Sequence, residues 1–270
     1  MVKKLPHALA LIFALVSVSC HLDFLGFVYS SDLDTRLNDR NTFNFLTQAD
    51  RNLSLGDTFT FVVVGDTHIH RRNAYGLELL AGSLIASDAF VVVLGDITEN
   101  GRREDVARFI EIANGFGIPA FPVIGNHDVY FGNWPVWREL IGSTSYRVNG
   151  NNVTLFILDT ANGFIGRSQL DWLERELRSA AQNVFVFTHA NLFVHYFIDT
   201  MQLTDVRERA RLTSMLAGRA TAMFMGHTHK RGTRNVGGVK YINMEDFKST
   251  QIFCRVRVSP EGISYTFVRM

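Results

Sequence analysis

The sequence predicts an α/β fold: a four-layer α/β/β/α sandwich of two mixed β-sheets flanked by helices. Three observations point there. Apolar, β-prone runs alternate with stretches of helical spacing through the middle of the chain, which implies right-handed crossovers and a largely parallel sheet. Further on, the pattern changes to a hairpin and then to closely spaced strands. Short polar segments rich in Asp, Asn and His stand at the ends of five of the apolar runs, where an open α/β sheet gathers its ligands.

The elements follow in order. Residues 59–64 form a mostly apolar, β-prone run suited to a strand buried on both faces. Residues 74–87 have helical spacing, 89–94 form a second buried strand, and 103–115 form a helix with Val106, Phe109, Ile110 and Ala113 on one side. A third strand covers 120–124. Residues 145–148 and 153–158 flank Asn149-Gly150-Asn151-Asn152, a strong hairpin signal. A helix over 168–181 places Leu170, Leu173 and Leu177 together; a strand over 184–187 follows, then a loop and helix over 190–215. Strands are predicted at 220–225, 232–236, 239–243, 251–258 and 263–268. Upstream, residues 21–57 are polar and weakly patterned, and read as a tether with a short helix over 44–52. The folded domain is expected over 58–270, as one unit.

Of the 270 residues, 47% are hydrophobic and 20% charged, the balance of a globular protein with a sizeable core. The 22 phenylalanines fall mostly in the strand-like runs, so they read as core. A net charge of +1 gives no signal for nucleic-acid binding. Residues 1–20 look like an export signal: Lys3 and Lys4, an apolar stretch from Ala8 to Val18, then small residues. The apolar part is shorter than the ~20 residues of a comfortable bilayer span. Val18-Ser19-Cys20 is similar to a lipobox, with Ser17 where Leu is usual. An exported, membrane-anchored lipoprotein of a bacterial envelope is expected, with plain secretion or an uncleaved anchor as alternatives. Cys254 is the one other thiol and reads as a buried small hydrophobe.

The chemistry lies in five segments: Asp66-Thr67-His68, Gly95-Asp96, Gly125-Asn126-His127-Asp128, Thr188-His189 and Gly226-His227-Thr228-His229. They hold five of the nine histidines. Imidazole, carboxylate and amide oxygen are ligands for divalent cations, and this set contains no thiolate. In extended backbone, residues i and i+2 point the same way, so Asp66 and His68, or His227 and His229, could share a cation. Each piece alone is weak; the ordered set is specific. His70, His195, Asn100, Gly101, Tyr130 and Trp134 are further residues that either line the site or serve packing and surface.

The ordered set resembles the calcineurin-like metallophosphoesterase superfamily over residues 59–245. The resemblance implies a β-sandwich flanked by helices and two divalent or trivalent ions (Mn, Fe, Zn or Ni). It implies Asp66, His68 and His229 on one ion, Asn126, His189 and His227 on the other, and Asp96 bridging. It further implies His127 as the catalytic histidine, oriented by Asp128, and water activated between the ions as nucleophile. Gly95 to Gly101, the run from Ile118 to Ile124, and Gln169-Leu170-Asp171-Trp172 are similar to the class III cyclic-nucleotide phosphodiesterase branch. Glu99 stands where the purple acid phosphatase branch has Tyr, and Ala190-Asn191-Leu192 stand where the phosphodiesterase branch continues with Pro. The implied substrate is a small phosphodiester or phosphomonoester: a nucleotide, a phospholipid headgroup or an envelope intermediate. The competing readings are a surface lipoprotein that binds a phosphorylated ligand without turnover, and a purely structural envelope protein.

Overall fold

The computed structural model describes residues 33–193 and 203–270. A helix, Leu33–Asn38, leads to β1 (Asn52–Leu53), β2 (Phe59–Gly65), a 3₁₀ segment Leu77–Ser83 and β3 (Asp88–Leu94). The helix Arg103–Asn114, β4 (Ala120–Val123), a 3₁₀ segment His127–Gly132 and the helix Trp134–Leu140 follow. Next come β5 (Tyr146–Gly150), β6 (Val153–Ile157), the helix Arg167–Glu176, β7 (Asn183–Phe187), the helix Val206–Leu216 and β8 (Ala222–Met225). β9 (Gly232–Val236), β10 (Val239–Asn243), a single turn Phe247–Thr250, β11 (Ile252–Ser259) and β12 (Gly262–Arg269) complete the chain.

The strands make two mixed sheets, in the orders β1-β5-β6-β7-β8-β10-β9 and β12-β11-β2-β3-β4. β2, β3 and β4 run parallel, as do β6, β7, β8 and β10. The period of two explains the layering. Within β2, Phe61 and Val63 face the core between the sheets, while Val62 and Val64 face the outer core under helix Arg103–Asn114. A third core lies between the seven-stranded sheet and the helices Arg167–Glu176 and Val206–Leu216. The phenylalanines fill the central layer: Phe61 stacks on Phe90 at 4.8 Å, and Phe187 on Phe224 at 5.4 Å. Each such ring contributes about 2–3 kcal/mol by burial.

Three local expectations do not hold. Residues 74–87 carry only the short segment Leu77–Ser83; its buried Leu77 and Leu80 lie three apart, the 3₁₀ period, and Gly76 enters it at φ 90°. Residues 44–51 carry bends and a turn rather than a helix and Asn52 opens β1, because the Asp50 carboxylate accepts from the Thr47 amide and hydroxyl at 2.7 Å and competes with helix. From residue 33 onward, the expected tether is docked. Leu37, Leu46 and Leu53 are buried, and β1 pairs with β5. The Arg36 guanidinium is clamped on Asp159 (2.7 and 3.2 Å) and also donates to Asn162. The signal-like residues 1–20 with Cys20, and His195, lie outside the described residues. Cys254 is buried, as expected, and burial pushes its thiol up to about 12.

Candidate metal centre

All five polar segments leave C-terminal strand ends on one edge: Asp66 after β2, Asp96 after β3, Asn126 after β4, His189 after β7 and His227 after β8. The two sheets present these edges side by side, and glycine lets them close up. A Cβ on Gly95 would sit 2.5 Å from His189 Nδ1, and one on Gly125 would sit 2.1 Å from the Asp96 amide. Only glycine fits at either place.

The structure brings together three overlapping groups of ligand-type atoms: Asp66, His68 and His229; Asp96, His189 and His227; and His68, Asp96 and His127. Asp96 is common to the second and third. Its Oδ1 lies 3.3 Å from His189 Nε2, and its Oδ2 lies 3.8 Å from His68 Nε2 and 3.9 Å from His127 Nε2. His229 Nε2 is 3.3 Å from Asp66 Oδ1. Asn126 Oδ1 is 3.1 Å from His189 Nε2, and His227 Nδ1 is 3.0 Å from the same nitrogen.

How the side chains converge differs from the extended alternation expected of the sequence. Asp66, His68, Asp96, His227 and His229 all have φ between 44° and 70°, the left-handed region. Each such non-glycine residue costs about 1–2 kcal/mol. Strain of this kind persists where the surroundings over-determine it, typically at functional sites.

The residues fit a pair of cations on two grounds. First, both ring nitrogens of His68 are buried without a hydrogen-bond partner, a costly arrangement for a polar group with no ligand. Second, the backbone fixes the ring orientations. His189 Nδ1 donates to the Leu94 carbonyl at 2.9 Å and so turns Nε2 inward, the outer-shell pattern of metal-binding histidines. His227 Nδ1 then points at that same nitrogen, so both rings turn a nitrogen toward Asp96 and the space beside it. The charges agree. Burial pushes His189 down, but Asp96 outweighs it and raises the ring to about 9. Burial and the charge of His189 push His227 down to about 3. Burial pushes Asp96 up, yet His189 and His127 hold it well below the usual carboxylate range. The pocket calls for positive charge between fixed anions and inward-turned nitrogens.

One expectation carried by the resemblance changes here. Asp128 does not orient the His127 ring. Its carboxylate instead accepts from the amides of Ile97 (3.2 Å), Thr98 (2.8 Å) and Gly125 (2.9 Å) and from the Thr98 hydroxyl (2.9 Å). It ties the Asp96 loop to the Asn126 loop; burial and the nearby Asp96 charge push it up to about 6. The ring of His127 is held by Nδ1 donating to the Glu99 carbonyl at 2.9 Å, which leaves Nε2 on the Asp96 side.

Glu99 is a supporting residue that the sequence marked only as a departure from another branch. Its carboxylate lies 3.6 Å from His68 Nδ1 and 3.0 Å from Lys248 Nζ. Lys248 comes from the turn before β11, and no local spacing signals it. Of the other candidates, Trp134 packs in the outer core, and His70 closes a surface turn with Asn73. The Asn100 carbonyl accepts from Asn133 at 2.9 Å, and Gly101 lets the backbone pass the Asp128 carbonyl. Tyr130 lies beside His127, with ring centroids 4.2 Å apart.

The calcineurin-like phosphoesterase family model matches residues 59–231. A probable cyclic nucleotide phosphodiesterase of Fibrobacter succinogenes is 25% identical over 53% of this chain and 58% of its own length. The chain therefore spans less than two thirds of that relative. A probable glycerophosphodiester phosphodiesterase of Arcobacter nitrofigilis is 26% identical over 64% of this chain and 72% of its own. Among solved structures, a dimetal phosphatase from Danio rerio matches 78% of this chain and 98% of its own at a TM-score of 0.63 and 14% identity. A purple acid phosphatase from yellow lupin matches 78% of this chain and 51% of its own at a TM-score of 0.65 and 12% identity. At such identities these two likenesses concern the fold alone.

Proposed function

The chain belongs to the calcineurin-like phosphoesterase family, hydrolases of phosphoester bonds, and on that premise we propose that it is a binuclear metal-dependent phosphodiesterase. One observation carries this reading. Asp96 belongs to two groups of ligand-type atoms at once, with the Nε2 of His127 turned toward it. Asp66, His68 and His229 would hold one ion, Asn126, His189 and His227 the other, and Asp96 both. Two such ions supply a water-derived nucleophile at neutral pH and neutralise phosphate oxygens.

The chain's own residues do the rest. The Leu94 carbonyl fixes the His189 tautomer, and the Glu99 carbonyl fixes that of His127. Protonated at Nε2, His127 can donate to a phosphate oxygen and pass that proton to the leaving alkoxide. Asp128 keeps the loops that carry Asp96 and His127 in register. The names of the relatives favour diesters over monoesters. The test is turnover of bis-p-nitrophenyl and p-nitrophenyl phosphate by the purified chain, stripped of metal and reloaded with Mn²⁺. Metal-dependent hydrolysis, faster on the diester and about 10²-fold or more slower in His127→Ala, is expected. Two bound ions with no turnover, across Mn, Fe, Zn and Ni, would establish the non-hydrolytic binder instead.

The signal-like residues 1–20 support export, with acylation at Cys20 and an extracytoplasmic substrate. The mass of the mature N-terminus decides this. A lipid-modified Cys20 is expected, and a chain that still begins at Met1 overturns it.

A further inference from the structure

Phe131 is the single exposed aromatic residue among the described residues, with 66% of its surface accessible. It follows Tyr130, whose ring lies beside that of His127 in the metal centre. His127, Tyr130 and Phe131 form a staircase of rings: 4.2 Å from the first to the second, and 6.1 Å from the second to the third, which meets it edge-on at 79°. The lower step is anchored, since the Asn126 amide donates to the Tyr130 hydroxyl at 3.0 Å. The upper step is held outward by its backbone. Phe131 has φ 57° and Gly132 φ 73°, two successive left-handed residues directly after Tyr130, whose ψ of 148° already breaks the 3₁₀ segment. Glycine would sit at the first of these without strain. A phenyl ring two-thirds in water on a backbone that disfavours it gains little for folding beyond its edge contact with Tyr130.

We propose that Phe131, backed by Tyr130, is a stacking platform for a planar aromatic group on the substrate, so that the site prefers nucleotide phosphoesters over those of glycerol or choline. This rests on the phosphoesterase reading and narrows its substrate class. The geometry suits a flat ring better than an acyl chain. The platform is one ring, flanked by Asn133, Gly132 and Tyr130 rather than by a continuous apolar surface, and its edge-on meeting with Tyr130 makes a corner with one open face. Stacking of this type tolerates any base, because every base presents a π face. A nucleobase on the platform would lie two ring contacts from His127, whose Nε2 faces Asp96.

The test uses competitive inhibition of bis-p-nitrophenyl phosphate hydrolysis by AMP and by glycerol 3-phosphate, with the Mn²⁺-loaded full chain. AMP should bind more tightly. Phe131→Ala should raise the inhibition constant for AMP about 5- to 10-fold while that for glycerol 3-phosphate stays within about twofold, and Phe131→Trp should restore it. Phe131→Gly should weaken AMP equally yet leave the thermal midpoint unchanged or higher, which a structural role for the ring would not do. Equal shifts for both inhibitors, or none for either, overturn the proposal. If the chain turns over no ester, calorimetric titration of AMP against glycerol 3-phosphate into the metal-loaded protein reads the platform separately from catalysis.

Discussion

Two buried polar clusters in this molecule meet the same difficulty in opposite ways. At the clamp, the Arg36 guanidinium is held by both oxygens of Asp159 and donates to Asn162, so charge and donors are matched from within. At the metal centre, Asp66, Asp96, His68 and His189 are as deeply buried and His227 is half-buried, but their partners do not close the set. His68 has two orphaned nitrogens, and His189 and His227 meet nitrogen to nitrogen at 3.0 Å. A satisfied buried cluster holds structure together. An unsatisfied one, maintained against backbone strain, is shaped around something that must be supplied.

That contrast can be broken in four ways. The largest effect is expected from Asp96→Ala. Turnover of bis-p-nitrophenyl phosphate should fall by about 10³-fold or more and elemental analysis should find fewer than two ions, with the far-ultraviolet dichroism unchanged. Retention of both ions would break the assignment of Asp96 as the shared ligand. Next, Arg36→Ala strands the buried Asp159 carboxylate and should cost about 3–5 kcal/mol, roughly 10 °C in thermal midpoint. The folded protein should still bind two ions, and loss of metal would show the clusters to be coupled. Third, chelation should lower the midpoint of the wild-type chain by about 5–10 °C relative to protein at 100-fold excess over the metal dissociation constant. The same drop should appear in Arg36→Ala, because distant sites add. The smallest effect is Glu99→Gln, which removes the carboxylate beside His68 Nδ1 while keeping its shape. A 10- to 100-fold weaker metal affinity is expected by chelator competition, and an unchanged affinity would reduce Glu99 to a partner of Lys248.

The same division decides how much could be read in advance. Strand ends announce themselves: an apolar run stops and a ligand-type residue follows, so Asp66, Asp96, Asn126, His189 and His227 could be placed from local pattern alone. Arg36 could not, because its partner Asp159 is 123 residues away and neither position breaks any periodicity. Asp128 was visible as a site residue but not in its role. A carboxylate next to a histidine invites pairing with it, whereas here four nearer donors claim the oxygens. The ligand backbones were misjudged for a related reason. Alternation suggests extended chain, while each loop must reverse at once after its strand, and Asp and His tolerate the left-handed turn that does so.

The C-terminal hairpin has a consequence for how this protein can be divided. The family match stops at residue 231, but β2, which delivers Asp66, borders β11 from Val258↔Phe59 to Cys254↔Val63, and the Lys248 amide donates to the Asp66 carbonyl. Clipping the gene at the boundary of the shared sequence would leave a raw, mostly apolar strand margin open to a neighbouring molecule. Every proposed ligand would survive such an excision. What would be lost is the buttress, and the shortened polypeptide is expected to be recovered as aggregate rather than as a minimal enzyme.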